Sequence, residues 1–115
     1  MTKWLRSPIT TSQDLSAGAL LYTTSIGRNF RLEKIYFKAS VAITETITIT
    51  LDSKQGANYD IVLRVKGLSS ESSFIYVPEG FDAVFLSGDE IKIQCTNANL
   101  TGTIYVEVKT SELQG

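Results

Sequence analysis

The sequence predicts an all-β protein: an antiparallel β-sandwich of about eight strands, jelly-roll-like, with an extended N-terminal arm. Three runs, at residues 46–51, 90–96 and 103–109, alternate aliphatic and polar residues without interruption. Strict alternation puts the aliphatic side chains on one face of a strand. Turns containing Gly, Pro, Asn and Ser separate the runs, and no segment has a helical period over ten residues. Strands of this kind cover a shared core with one face and leave the other face wet.

Residues 1–18 are predicted to form the extended N-terminal arm. The segment has no sustained period, and Pro8 favours extended backbone. Trp4, Leu5 and Ile9 are too apolar for a solvated tail, so we expect them to dock outside their own sandwich, on a neighbouring subunit or a particle surface. A disordered terminus is the alternative.

The sandwich domain is predicted to span residues 19–110, followed by a short C-terminal tail at 111–115. Its strands are predicted at residues 19–24, 28–39, 46–52, 59–66, 74–77, 83–86, 90–96 and 103–109. The alternation slips at Glu33 and Lys34, which predicts a β-bulge or a crossing between sheets. The predicted inward side chains are Leu32, Ile35, Phe37, Ile47, Ile49, Leu51, Ile61, Leu63, Val65, Phe74, Tyr76, Val84, Leu86, Ile91, Ile93, Cys95, Ile104, Val106 and Val108.

The composition argues against most catalytic chemistry. The chain of 115 residues has no histidine, which excludes Ser-His-Asp triads and histidine-ligated metals. Cys95 is the only cysteine, so disulfides and cysteine-based zinc sites are excluded, and its strand phase predicts a buried, inert thiol. We therefore predict no catalytic residues, no cofactor, no metal and no enzymatic activity.

The charge and hydropathy patterns argue against nucleic-acid and membrane partners. The formal net charge is −1, and the basic residues are dispersed rather than clustered against phosphate. No run approaches the roughly 20 apolar residues of a membrane helix. The N-terminus lacks the apolar region of a secretory signal, so we expect synthesis in the cytosol.

The outward faces predict interaction surfaces. Thr46, Thr48 and Thr50 give one strand an uncharged, β-prone outer face, which is an aggregation hazard at a sheet edge unless another subunit covers it. We therefore predict a protein interface at these threonines and at Trp4, Leu5 and Ile9. The tyrosines Tyr36, Tyr59 and Tyr105 suit a carbohydrate platform, a protein interface or simple cross-strand packing.

The segments GRNFRLEKI (27–35), ITITLDSKQGANYD (47–60) and LSGDEIKI (86–93) resemble, in pattern and strand order, small all-β virion structural proteins of tailed bacteriophages. The resemblance implies a non-enzymatic structural role in the virion, after assembly in the host cytoplasm. The protein would decorate or cement the capsid, or serve as a neck or tail accessory. It would contact other copies of itself and a phage structural protein such as the major capsid protein. The alternatives are a carbohydrate-binding β-sandwich module and a free-standing bacterial interaction domain.

Overall fold

The computed structural model describes the backbone of residues 3–25, 27–79, 84–98 and 101–114, and the side chains of residues 9–25, 27–79, 84–98 and 101–111. Within these ranges the chain forms nine strands and one short 3-10 turn at Ala57–Tyr59. The strands are β1 (Lys3–Asp14), β2 (Leu20–Ser25), β3 (Phe30–Ile43), β4 (Thr46–Asp52), β5 (Ile61–Gly67), β6 (Glu71–Tyr76), β7 (Val84–Phe85), β8 (Glu90–Cys95) and β9 (Thr103–Gln114).

The strands form two antiparallel sheets. The first sheet has the order β1-β9-β3-β6, with β7 also paired to β3, and the second has the order β2-β8-β4-β5. Every described pairing is antiparallel. The prediction of an all-β antiparallel sandwich is confirmed, and its physical basis is the alternation of aliphatic and polar residues along the strands.

The core lies between the sheets and follows this alternation most closely in the central strands. In β8, Ile91 and Ile93 have no exposed surface, and Cys95 is 1% exposed. In β9, Ile104, Val106 and Val108 are buried in the same way. Among the described residues, the sequence did not predict seven other buried hydrophobic side chains: Leu15, Leu20, Phe30, Ala39, Ile43, Leu68 and Phe85.

Four of the predicted inward side chains are exposed, and two causes account for them. Val84 and Leu86 point outward because the residue between them, Phe85, is buried and stacks on Phe30 with ring centroids 4.8 Å apart. A one-residue slip exchanges the two faces of a strand, and burying the larger aromatic side chain decides the phase. Val65 is exposed because a register shift against β4 puts it opposite Thr48, on the outer face of the second sheet, and Ile61 is exposed because β5 lies at the edge of its sheet.

The N-terminal segment is an edge strand and not a separate arm. Strand β1 pairs with β9 along its whole length, from Lys3 opposite Gln114 to Asp14 opposite Thr103. Ile9 lies opposite Val108 and packs against the core. The prediction that this segment docks outside its own sandwich is therefore wrong at Ile9. The backbone of β1 pairs with that of β9 in the same sheet, which places Ile9 against the core of its own sandwich. The side chains of Trp4 and Leu5 lie outside the described residues.

Two further features bear on the predicted elements. The register between β3 and β9 shifts between Leu32 and Lys34, so the bulge predicted at this point is confirmed. Strand β9 continues to Gln114, where the sequence predicted a tail over residues 111–115. The tail prediction is wrong for residues 111–114, since β1 provides partners as far as Lys3.

A buried carboxylate fixes one end of the sandwich. Glu45 is 3% exposed, and its Oε1 accepts hydrogen bonds from the hydroxyl of Thr96 at 2.7 Å and from the backbone N–H of Ala98 at 2.8 Å. Its carbonyl oxygen accepts the N–H of Leu68 at 2.7 Å. Glu45 thereby ties the turn between β3 and β4 to two other loops, which is a structural role for a buried charge.

Candidate interaction site

One side of the sandwich consists of two edge strands, β5 from the second sheet and β6 from the first; we call it the open side. Within the described ranges, β5 pairs only with β4, and β6 pairs only with β3. Edge strands that lack a second neighbour are natural docking surfaces and also aggregation hazards. The open side is therefore a candidate interaction site.

The open side exposes large aliphatic side chains on both strands. The exposed fractions are 53% for Ile61, 58% for Val62, 55% for Val65, 54% for Ile75 and 55% for Val77. Single exposed aliphatics are ordinary, but a cluster on adjoining strands is typical of an interaction site.

The register places these side chains around both rims of the open side. Val62 lies opposite Thr50, and Val65 lies opposite Thr48, on the outer face of the second sheet. Ile75 lies opposite Tyr36 on the outer face of the first sheet. The outer faces of the two sheets point away from each other, and of these side chains Ile75 and Val77 line the space between β5 and β6.

A groove of about 500 Å³ runs between the rims, lined by residues that include Leu63, Arg64, Phe74 and Glu79. Leu63 and Phe74 form its floor and pack against the buried core. The Arg64 guanidinium lies 5.9 Å from the centroid of the Phe74 ring, and the Lys66 ammonium lies 5.8 Å from it. The groove therefore has an apolar floor with cations at one edge.

The charges of the open side are separated between its two strands. Strand β5 carries Arg64 and Lys66, which we call the basic rim; Glu71 in β6 and Glu79 just beyond it form the acidic rim. The one ion pair described within the open side joins Lys66 to Glu71, at 3.8 Å. An exposed pair at this distance contributes little to stability, so both rims keep charge available for a partner.

The sequence contained a signal for the open side that the alternation argument missed. Ile61, Val62 and Leu63 are three successive aliphatics, and a pleated strand cannot turn all three toward one core. A register shift against β4, between Ile49 and Thr50, marks a bulge in this part of β5. Pro78 follows β6 and stops its ladder, as the sequence predicted for that strand.

The threonine face lies elsewhere, in the interior of the second sheet. Strand β4 has neighbours on both sides, β8 and β5, so its threonines are not at a sheet edge. Thr46 is exposed, Thr48 is half-buried, and Thr50 is 9% exposed. The interface was predicted here because such a face at a sheet edge promotes aggregation, and β4 is not at an edge. The interface at Thr46, Thr48 and Thr50 stays a prediction.

The structure brings two of the three tyrosines together. Tyr36 in β3 lies opposite Glu107 in β9, and Tyr105 lies opposite Lys38, so both tyrosines occupy the outer face of the first sheet. A shallow concavity of about 540 Å³ lies between them. Tyr59 lies apart, in the 3-10 turn before β5. We call the surface around Tyr36 and Tyr105 the tyrosine face.

Cations already occupy part of the tyrosine face. The Lys109 ammonium lies 5.0 Å from the centroid of the Tyr36 ring, and the Lys34 ammonium lies 5.9 Å from it. Lys109 also approaches Glu107 at 3.6 Å. Tyr105 is 51% exposed and is the more available of the two rings for stacking.

Cys95 is buried, as its strand phase predicted. Burial raises the pKa of its thiol to about 11, with a further contribution from the negative charge of Glu45. The Cys95 Sγ lies 3.3 Å from the carbonyl oxygen of Thr96, to which the thiol donates. Since the thiolate is the reactive form of cysteine, a thiol held neutral in this way is a poor nucleophile.

The described ranges contain no group of three or more Cys, Asp or Glu side chains placed to hold a metal ion. They also contain no helix that is long and apolar enough to cross a membrane.

No protein-family model matches the chain, and no curated protein matches it.

Proposed function

We propose that this chain is a non-enzymatic structural protein of a phage particle, which decorates or cements the capsid or serves as a neck or tail accessory. It acts through contacts with other copies of itself and with a phage structural protein such as the major capsid protein. We interpret the passage of the chain between the two sheets as jelly-roll-like, an arrangement that occurs in viral capsid proteins.

The observation that carries the proposal is the open side. Ile75 and Val77, which are each more than half exposed, line a groove with a half-buried apolar floor, and Ile61, Val62 and Val65 are exposed on the adjoining strand β5. An exposed apolar surface on edge strands costs solubility in a free monomer, and a protein that works inside an assembly covers it. The resemblance of three segments to virion proteins supports the same class of function.

The test is whether the chain co-purifies with phage particles. Cells producing the chain together with the virion proteins encoded beside its gene would be lysed, and intact particles would be separated on a density gradient. We expect the chain in the particle fraction at a fixed ratio to the major capsid protein across independent preparations. A chain that remains in the soluble fraction, or whose ratio varies with its expression level, would contradict a structural role.

The second candidate function, carbohydrate binding, is favoured by the tyrosine face. Tyr105 offers an exposed ring for stacking on a sugar, and Glu107 and Lys38 line the same concavity with polar groups. The lysines beside Tyr36 weigh against it, because they occupy space that a sugar ring would need.

A glycan array separates the two candidates. Carbohydrate binding predicts a signal that Tyr105→Ala abolishes and that Tyr59→Ala, a change away from the concavity, leaves intact. If the chain gives no signal on the array and is present in particles, the structural function stands alone.

A further inference from the structure

We propose that two copies of this chain bind each other through their open sides, about a two-fold axis that runs along the strands. This inference rests on the proposed function, since it names one of the partners that an assembly protein needs. It follows from how apolar surface and charge are distributed over β5 and β6.

The first step concerns how the copies meet. Pairing β5 to β5 into one continuous sheet is disfavoured, because the strand is bulged near Val62 and its cations Arg64 and Lys66 lean over the groove. Bulges and inward-leaning charges are the devices by which edge strands resist such pairing. Two copies are therefore expected to meet groove against groove, with Ile75 and Val77 of each copy at the contact.

The second step fixes the axis from the charges. A two-fold axis along the strands brings β5 of each copy over β6 of the other, so the basic rim of Arg64 and Lys66 meets the acidic rim of Glu71 and Glu79 twice. A two-fold axis across the strands would place the basic rim of one copy over the basic rim of the other, and the acidic rim over the acidic rim. Like charges brought together at an interface are unfavourable, so the first axis is selected.

A second copy of the chain fits the open side better than an unrelated partner does. A two-fold contact uses the same patch on both molecules, so the patch must complement itself. The open side does so, because its two rims carry equal and opposite formal charge, +2 from Arg64 and Lys66 and −2 from Glu71 and Glu79. Ile75 and Val77, which line the groove and are more than half exposed, supply apolar surface at the contact.

Charge reversal tests the proposal through its symmetry. One variant reverses the basic rim (Arg64→Glu with Lys66→Glu), and a second reverses the acidic rim (Glu71→Lys with Glu79→Lys). Sedimentation equilibrium should show a dimer for the unchanged protein and self-association at least about tenfold weaker for each variant. A mixture of the two variants should dimerise again, because every rim then faces an opposite charge. Lys92→Glu in β8 with Lys54→Glu in the loop after β4, which changes as much charge away from both rims, is the matched control and should dimerise normally.

Two results would overturn the proposal. The first is an unchanged protein that stays monomeric at its highest soluble concentration. The second is a dimer that rim reversal leaves intact, or that the mixture does not restore while melting curves show both variants folded. Either result leaves the proposed function open to its own test: a monomer recovered in particles at a fixed ratio would place a different virion protein on the open side.

Discussion

Strands β8 and β5 are both rich in aliphatic residues and have opposite environments. In β8, Ile91 and Ile93 have no exposed surface, whereas in β5, Ile61 and Val65 are more than half exposed. Two differences account for this: β8 has neighbours on both sides, β2 and β4, whereas β5 has only β4, and a register shift in β5 turns Val65 to the outer face, opposite Thr48. Aliphatic residues along a strand therefore indicate a sheet, and the place and register of the strand within the sheet determine how much is buried.

The comparison also separates two roles for aliphatic residues. In β8 they stabilise the fold, because their burial removes apolar surface from water. In β5 much of that surface remains exposed, so the same residue types contribute less to folding and are available to a partner. Each prediction below changes a central strand, an edge strand, or the pairing that makes a strand central.

The largest effect is expected from converting a central strand into an edge strand. Deleting residues 1–14 removes β1 and leaves β9 with a single neighbour, β3. About ten ladder hydrogen bonds are lost, each worth about 1 kcal/mol, so the free energy of unfolding should fall by about 5 kcal/mol or more. Chemical denaturation of the truncated protein measures this, with deletion of residues 1–2 as control. Unchanged stability would mean that β1 is dispensable to the sandwich.

A matched pair of substitutions tests the difference between central and edge strands directly. Ile93→Ala in β8 should lower the free energy of unfolding by about 2–5 kcal/mol, since it opens a cavity in a packed core. Ile61→Ala in β5 should cost less than about 1 kcal/mol, because half of that side chain is already in water. Urea denaturation measures the free energy of unfolding of both variants, and the two values are comparable when its dependence on urea concentration is the same in both. Equal losses would contradict the assignment of β5 to an exposed edge.

Thiol labelling gives a kinetic version of the same contrast. At pH 8 only about one thousandth of Cys95 is ionised, given a pKa of about 11, so native Cys95 should react far more slowly than it does in denaturant. In a Cys95→Ala background, Leu21→Cys, at a 65% exposed position on the edge strand β2, should react rapidly in the native protein. Fast labelling of native Cys95 would contradict its burial.

The smallest effect is a pH dependence that originates at Cys95. The folded-state pKa is raised from 9.0 to about 11, so the folded protein holds the thiol proton more tightly than the unfolded chain does. This contribution to stability is complete below pH 9 and is lost as the pH rises toward 11. Stability should therefore decline less steeply over this range in Cys95→Ala than in the unchanged protein, as measured by denaturation at several pH values.

The sequence predicted the fold well and the interaction site poorly, for one physical reason. Local alternation determines which residues form strands, so β4 and β8 and the bulge near Glu33 were predictable. Which strand lies at an edge depends on pairing between distant segments, which no local pattern contains. The prediction of a free arm at Ile9 failed for this reason, and so did the inward assignment of Ile61, whereas that of Val65 failed because of the register shift in β5.

The central claim is that the open side is the surface through which this protein assembles, and one matched comparison tests it most directly. Ile75→Lys places a charge on the open side, and Leu21→Lys makes the same kind of change at a 65% exposed residue on β2, another edge strand of the sandwich. Sedimentation velocity and recovery in purified particles should show that Ile75→Lys loses self-association and incorporation by at least about tenfold, while Leu21→Lys retains both. Equal retention by the two variants, with both folded, would contradict the account.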